Sequence, residues 1–187
     1  MTRHVARCAV EHDASGAPET IVRLRIEADG DPRYWLYVEA RGSATLGQFD
    51  SLLRRTSLES CGHMSALRAG ASEFAMGTKI GSAMPREGVT FSYEYDFGST
   101  TALKGQVVGT REGRLGRAPV RLLARNDLID WRCANCSDPA VIVCPFCVHE
   151  DDGLFCKAHA QDHPCVQEEV YLPIVNSPRM GVCAYAG

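Results

Sequence analysis

The 187-residue chain has no apolar run approaching the roughly 20 residues that a helical membrane span needs, so no membrane partner is expected. Its first residues, MTRHVARCAVEHD, lack the continuous apolar core of a secretory signal. The expected compartment is therefore the reducing cytoplasm, where structural disulfides are rare. The chain also lacks a basic excess. It carries 20 Lys and Arg against 23 Asp and Glu, a net charge of −3, and no global basic character announces a nucleic-acid partner. Apolar residues make up 45% of the chain, the globular range. The length fits one domain, or one domain plus a small module.

What the chain does have is cysteine in one place. Residues 133–165, CANCSDPAVIVCPFCVHEDDGLFCKAHAQDHPC, hold six of the nine cysteines and three of the six histidines. Cys133-x2-Cys136 is followed by Cys144-x2-Cys147, then by Cys156-x2-His159, and His163 and Cys165 close the set. These are eight candidate ligands, and two tetrahedral zinc ions need eight. A C-x2-C turn converges two sulfurs on one point, and Pro145 stiffens the second turn with its fixed φ. The spacing suggests interleaving. Cys133, Cys136, Cys156 and His159 would share one zinc, and Cys144, Cys147, His163 and Cys165 the other. A sequential pairing stays open, and His149 is a substitute ligand. A redox C-x-x-C usually comes singly beside a βαβ pattern. A disulfide knot needs export, and an iron–sulfur cluster leaves the histidines unexplained.

A catalytic zinc keeps an open position for water. Eight ligands for two ions leave none, so the expected role is a structural staple for a segment too short to build its own core. The segment is acidic as well. Asp138, Glu150, Asp151, Asp152 and Asp162 face only Arg132 and Lys157 over residues 131–165, which suits a protein partner better than DNA. Residues 1–130 carry 17 Lys and Arg against 16 Asp and Glu, and residues 131–187 carry 3 against 7. The one basic cluster is REGRLGRAPVRLLAR, with Arg111, Arg114, Arg117, Arg121 and Arg125. Its ordinary reading is a solvated loop and strand face; its functional reading is nucleic-acid contact.

Residues 20–130 read as an α+β domain. TIVRLRIEA alternates, with Val22, Leu24 and Ile26 on one face, and YWLYVEA follows after the turn DGDP, so a hairpin is expected. ATLGQFDSLLRRTSLE carries Leu46, Phe49, Leu52 and Leu53 at helical spacing behind Thr45 as N-cap. HMSALRAG, VTFSYEYDFG, TALKGQVVGT and PVRLLAR supply further strands. One main helix among several strands predicts a sheet with that helix across it. Residues 1–19 read as a flexible flank, and 131–187 as the zinc-binding module, with VYLPIV returning as a strand against the main domain and Cys183 buried.

The run TLGQFDSLLRRTSLESCGHMSAL, then YEYDFGSTT, RLLARN, the cysteine module and NSPRMGVC resembles the plasmid ORF-3-like family, also known as transposon passengers. The resemblance runs from about Ile21 to Gly187. It implies a first domain similar to the ubiquitin-like β-grasp fold, a mixed sheet with one main helix, followed by a cross-braced two-zinc module. It brings no established activity and no recombinase site. Relatives tend to have an Asp and an aromatic after YDFG, where this chain has Ser99, Thr100 and Thr101. They also tend to have a Trp and a second Cys where it has Ser57 and Ser60. A terminal glycine on such a fold raises conjugation, but Gly187 follows the zinc module and the chain has no Gly-Gly.

Two further stretches are candidates. Tyr93, Tyr95, Asp96 and Phe97 form either a recognition surface or a packed strand ending in a turn, with Asp96 capping and Gly98 taking a positive φ. Cys61 and His63, with Asp96 or Glu59, form either a thiol nucleophile and base or a packed thiol beside a satisfied histidine. The expectation is a non-enzymatic zinc-binding adaptor whose partner is another protein. The alternative is a nucleic-acid-associated accessory factor using Arg111–Arg125, and the third reading is a cysteine-dependent enzyme. Cross-braced fingers resemble the MYND and HIT classes, a fold-level analogy only.

Overall fold

A computed structural model describes residues 2–11, 13–58, 61–148, 152–163, 165 and 171–187. The chain forms two compact units. Unit 1 comprises Met1–Thr56 and His63–Asn126; unit 2 comprises Ser57–Gly62 and Asp127–Gly187.

Unit 1 begins with α1 (Thr2–Glu11), followed by β1 (Glu19–Ala28), β2 (Trp35–Arg41) and α2 (Leu46–Leu53). Then come β3 (Ser65–Ala69), β4 (Ser72–Glu73), the short α3 (Ile80–Ala83), β5 (Thr90–Tyr95), β6 (Thr101–Gly113) and β7 (Val120–Arg125). The seven strands form one sheet in the order β4-β3-β5-β6-β1-β2-β7. The period-two pattern of β1 buries Val22, Leu24 and Ile26, which the register sets opposite Ala40, Val38 and Leu36 of β2. Gly30 closes the hairpin at φ 96.

Every strand pair is antiparallel. The mixed sheet expected from sequence is corrected to an antiparallel one, while the α+β class stands. The reason is the path of the chain after α2. It enters β3, which pairs with β5 rather than running parallel beside β1. β1 instead takes β2 on one side and the long β6 on the other.

Helix α2 starts where the sequence signals it. Gln48 N donates to Thr45 Oγ1 at 3.3 Å, and Thr45 N donates to Gln48 Oε1 at 3.0 Å, a reciprocal capping box. Leu46, Phe49, Leu52 and Leu53 are buried, and the Phe49 ring meets Phe91 of β5 edge-on at 5.9 Å. The helix continues into one π-helical turn, Arg54–Leu58.

The opposite face of the sheet carries a charge network. Glu39 of β2 has no exposed side-chain surface, and it accepts hydrogen bonds from Arg111 at 2.8 and 2.9 Å and from Arg121 at 2.8 Å. Arg23 approaches at 3.4 Å. Asp13 binds the far side of Arg111 at 2.7 and 2.9 Å and accepts from Arg114 N at 3.2 Å. Burial alone would raise the Glu39 carboxyl. Arg111 and Arg121 outweigh it and hold Glu39 below the ordinary glutamate range. The Arg111 hydrogen bond outweighs desolvation at Asp13 and lowers it too. The first 19 residues thus contain α1 and a carboxylate fastened onto the sheet.

Unit 2 has very little regular structure. β8 (Ile142–Val143), β9 (Leu154–Phe155) and β10 (Leu172–Pro173) form a sheet in the order β10-β8-β9. VYLPIV therefore spends its strand bonds on the module's own sheet, through Leu172↔Val143 and Pro173↔Ile142.

Candidate metal centre

The small core of unit 2 is built from its cysteines. Cys133, Cys144, Phe155, Cys156 and Ala160 are buried together, with Cys136, Ile142, Cys147, Cys165 and Tyr171 packed against them. None of the cysteines is in a disulfide among the described residues. A core of ten residues, six of them thiols, buries too little hydrocarbon to order such a segment alone.

The thiols converge in two sets. Cys133, Cys136, Cys156 and His159 bring their ligand atoms within 4.8 Å of one another, and so do Cys144, Cys147, His163 and Cys165. The grouping is interleaved: the first pair with the third, the second with the closing His and Cys. The β8–β9 pairing is what crosses them, because it sets the Cys144 end of β8 beside Gly153 and the Cys156 end of β9 beside Val141. Cys144 N donates to Gly153 O at 2.8 Å, and Val141 N to Phe155 O at 2.9 Å. Each knuckle closes its own turn. Val148 N donates to Cys144 O, Ala160 N to Cys156 O, and Cys133 N to Asp138 O, each at 3.0 Å. Gly153 is required where it stands, since a Cβ there would lie 2.2 Å from Val148 N and 2.5 Å from its Cα.

The distances suit a tetrahedron around a cation. In the first set His159 Nδ1 lies 3.4 Å from both Cys133 Sγ and Cys156 Sγ, and Cys136 Sγ lies 3.9 Å from Cys156 Sγ. In the second, Cys144 Sγ lies 3.6 Å from Cys165 Sγ. Metal–sulfur bonds of about 2.3 Å and metal–nitrogen bonds of about 2.0–2.1 Å give tetrahedral edges of about 3.8 Å between sulfurs and about 3.6 Å between sulfur and nitrogen. His163 adds a chemical argument: its Nε2 is buried with no hydrogen-bond partner, and a coordinate bond would satisfy such an atom. Its ring stacks on Phe155 at 4.3 Å and lies 6.2 Å from Tyr171.

The electrostatics point the same way. At Cys133 burial opposes ionisation, but backbone donation from Cys156 and Asn135, with His159 beside it, brings the thiol down to about 6. At Cys136 a backbone donor, Asp138 N–H, favours the thiolate. Burial and the neighbouring thiols Cys133 and Cys156 win, pushing it up to about 11. Burial, Cys144 and Cys165 push Cys147 up to about 12. The first set favours a thiolate at Cys133, and the raised Cys136 and Cys147 need a cation beside them to ionise at neutral pH. The two Cys3His sets could therefore each hold a metal ion. His149, Glu59, Ser60, Glu150 and Asp151 lie outside the described residues.

The other sequence candidates fare differently. The proposed recognition surface is corrected: Tyr93 and Tyr95 have no exposed surface, Asp96 is buried, and of the four only Phe97 is exposed. The tyrosines lie on the core face of β5, and their hydroxyls are used. Tyr93 donates to Asp50 Oδ1 at 2.7 Å, where Ser65 Oγ also donates at 2.6 Å and Arg54 binds the other oxygen at 2.7 Å. Burial, then the Asp50 carboxylate, raises the Tyr93 phenol far above its usual range. Tyr95 Oη accepts from His63 N at 3.3 Å. Asp96, not Gly98, takes the positive φ, at 64°, and its Oδ1 accepts from Gly98 N and Ser99 N.

The arginine cluster does not form one surface. Arg111 and Arg121 bind Glu39, Arg125 donates to Thr56 O at 3.2 Å, Arg114 is half-buried, and Arg117 is the exposed one of the five. His63 Nε2 stands 3.6 Å from Asp96 Oδ2 in unit 1, whereas Cys61 belongs to unit 2. Cys183, expected to be buried, is exposed with φ 50, because the turn at Val182–Tyr185 buries Tyr185 and turns Cys183 outward. Sequence reading missed Glu39, Asp13 and Asp50. The one charged residue in the apolar strand YWLYVEA was the signal for the first.

No family model matches the chain, and no curated protein matches it. Among solved structures it is similar to a protein of unknown function, MM3350 from Methanosarcina mazei Go1. That protein is 12% identical with a TM-score of 0.48, over 57% of this chain and 69% of that one.

Proposed function

We propose that this protein is a non-enzymatic adaptor of the cytoplasm in which two zinc ions staple a protein-interaction module to shape. The observation that carries this reading is the pair of complete four-ligand sets, each Cys3His, interleaved along one short segment. A filled tetrahedron leaves no position for a reacting water. Three thiolates per ion leave each centre near −1, which weakens it as a Lewis acid and adds to the acidity of the segment around it. That charge disfavours phosphate contact and favours a protein partner. Arg111 and Arg121 neutralise a buried carboxylate in unit 1, which removes two of the five side chains that a nucleic-acid reading would use. We further propose membership of the plasmid ORF-3-like family, on the motifs quoted above, with unit 1 as its β-grasp-like domain.

The test has two parts. Native mass spectrometry of the purified full chain, expressed in zinc- and iron-containing medium, should return two zinc ions per chain and no iron. Binding to mixed DNA and RNA across a salt series should show no steep salt dependence. Iron in the sites overturns the zinc assignment. Affinity that falls linearly with log salt and weakens on Arg114→Ala and Arg117→Ala overturns the adaptor reading.

A further inference from the structure

Outside the two metal sets the chain has three cysteines, and two of them meet inside unit 2. Cys61 lies in the segment Ser57–Gly62 and Cys183 near the end of Asp127–Gly187. Their Sγ atoms are within 4.8 Å of each other, and Cys61 Sγ donates to the Cys183 carbonyl at 3.6 Å. Both residues are exposed, whereas all six cluster cysteines are buried or half-buried. The third, Cys8, stands on α1 beside His4.

Both partners are held. Cys183 and Ala184 sit consecutively in the left-handed region, at φ 50 and 55, a conformation that non-glycine residues adopt only where their surroundings fix it. The surroundings are visible. Val182 N donates to Arg179 O and Tyr185 N to Val182 O, each at 3.0 Å, and Tyr185 is buried. On the other side Ser177 Oγ donates to Ser57 O at 2.6 Å, tying the 57–62 segment to the same end of unit 2. Once one of two thiols held within 4.8 Å is oxidised, the other reaches that sulfur far faster than a thiol from solution does.

We propose that Cys61 and Cys183 are a redox-responsive dithiol that closes to a disulfide with a peroxide as oxidant. One thiolate attacks a peroxide oxygen; the S–O bond forms as the O–O bond breaks, giving a sulfenic acid and, after protonation, water. The second thiolate attacks that sulfur; the S–S bond forms, the S–O bond breaks and a second water leaves. Two electrons pass from the two sulfurs to the peroxide. A small-molecule thiol reverses the step by two exchanges. The cluster thiols are spared because they are less accessible and, when metal-bound, hold their electrons in the coordinate bonds.

The full-length, metal-loaded protein is treated with equimolar hydrogen peroxide. Unreacted thiols are alkylated, and the chain is digested without reductant and analysed by mass spectrometry. The expected result is a peptide pair joined through Cys61 and Cys183, reversed by dithiothreitol. It should form on the order of tenfold faster than oxidation of any cluster thiol, with both metals retained. Cys61→Ser and Cys183→Ser each abolish the link; both positions are exposed, so the variants keep the wild-type melting curve. The proposal is overturned if the link forms only after metal loss, or if the dominant product is a disulfide between chains. A third metal ion on the untreated protein that Cys183→Ser removes would overturn it equally, since the pair would then be a ligand set.

Discussion

Glu39 is the residue whose surroundings are least like its sequence context. It stands in an apolar strand, fully buried, and Arg23, Arg111 and Arg121 converge on it from β1, β6 and β7. Removing it leaves Arg111 with Asp13 alone and takes the buried carboxylate away from Arg23 and Arg121. Glu39→Ala should lower the stability of unit 1 by about 3–5 kcal/mol, measured by urea unfolding. The network also sets a pH dependence. Glu39 and Asp13 are both held below the ordinary carboxylate range in the folded chain. Their contribution is therefore complete above that range, near pH 4–4.5 and upward, and is lost as pH falls through the depressed folded values. Glu39→Gln should flatten the acid limb of the stability curve relative to wild type. An unchanged acid limb would mean the network contributes nothing there. Gly153 offers a steric test at the same scale. Gly153→Ala drives a methyl group into the Val148 backbone, so metal affinity of the Cys144 set should fall at least tenfold while the Cys133 set holds its ion, read by competition with a chromophoric chelator.

At the level of elements, local signals were legible and long-range partners were not. The capping box at Thr45 and Gln48 is written in adjacent residues, and α2 begins there. Thr45→Ala should cost about 1 kcal/mol, checked by thermal unfolding. The alternation in β1 and β5 is equally local; burial follows it in β5, whereas in β1 Ile21 and Arg23 on the other face are buried too. The strand order is another matter. β6 pairs with β1 across the whole of α2, β3, β4 and β5, and no periodicity encodes which edge a strand joins. The same limit explains the arginines. Their positive charge is plain in the sequence, but the carboxylates that absorb it lie 72 and 98 residues away from Arg111. Tyr93 and Tyr95 were ambiguous for a related reason. An aromatic stripe at strand spacing describes a core face as well as an exposed one, and only the covering helix decides.

For the molecule as a whole, the two units rest on different physics. Unit 1 is held by a hydrocarbon core under α2, including Leu24, Ile26, Phe49, Phe91 and Val107. In unit 2 six thiols stand in for such a core around strands of two residues each, and on the staple proposed above metal would hold them. A strong chelator should therefore abolish amide protection in residues 131–187 while the strands of unit 1 keep theirs, followed by hydrogen exchange. Protection that survives metal removal in both units would refute the staple. The two Cys3His groupings were legible from spacing because a site that could hold a metal accepts few geometries, so the sequence repeats the same short turn. Spacing suggests the interleaving but leaves a sequential pairing open, and the β8–β9 register decides between them.

The membership of residues 57–62 in unit 2 has a consequence for how the protein is made. A ribosome releases this segment more than a hundred residues before its partners Ser177 and Cys183 exist. The sheet of unit 1 can form before Ser57 and Cys61 have these partners, and the 177–183 turn collects them once it is made. Any attempt to express the metal module as a fragment beginning near residue 127 would omit this strap, whereas a circular permutant joining it to the C-terminus would carry the unit as one continuous piece.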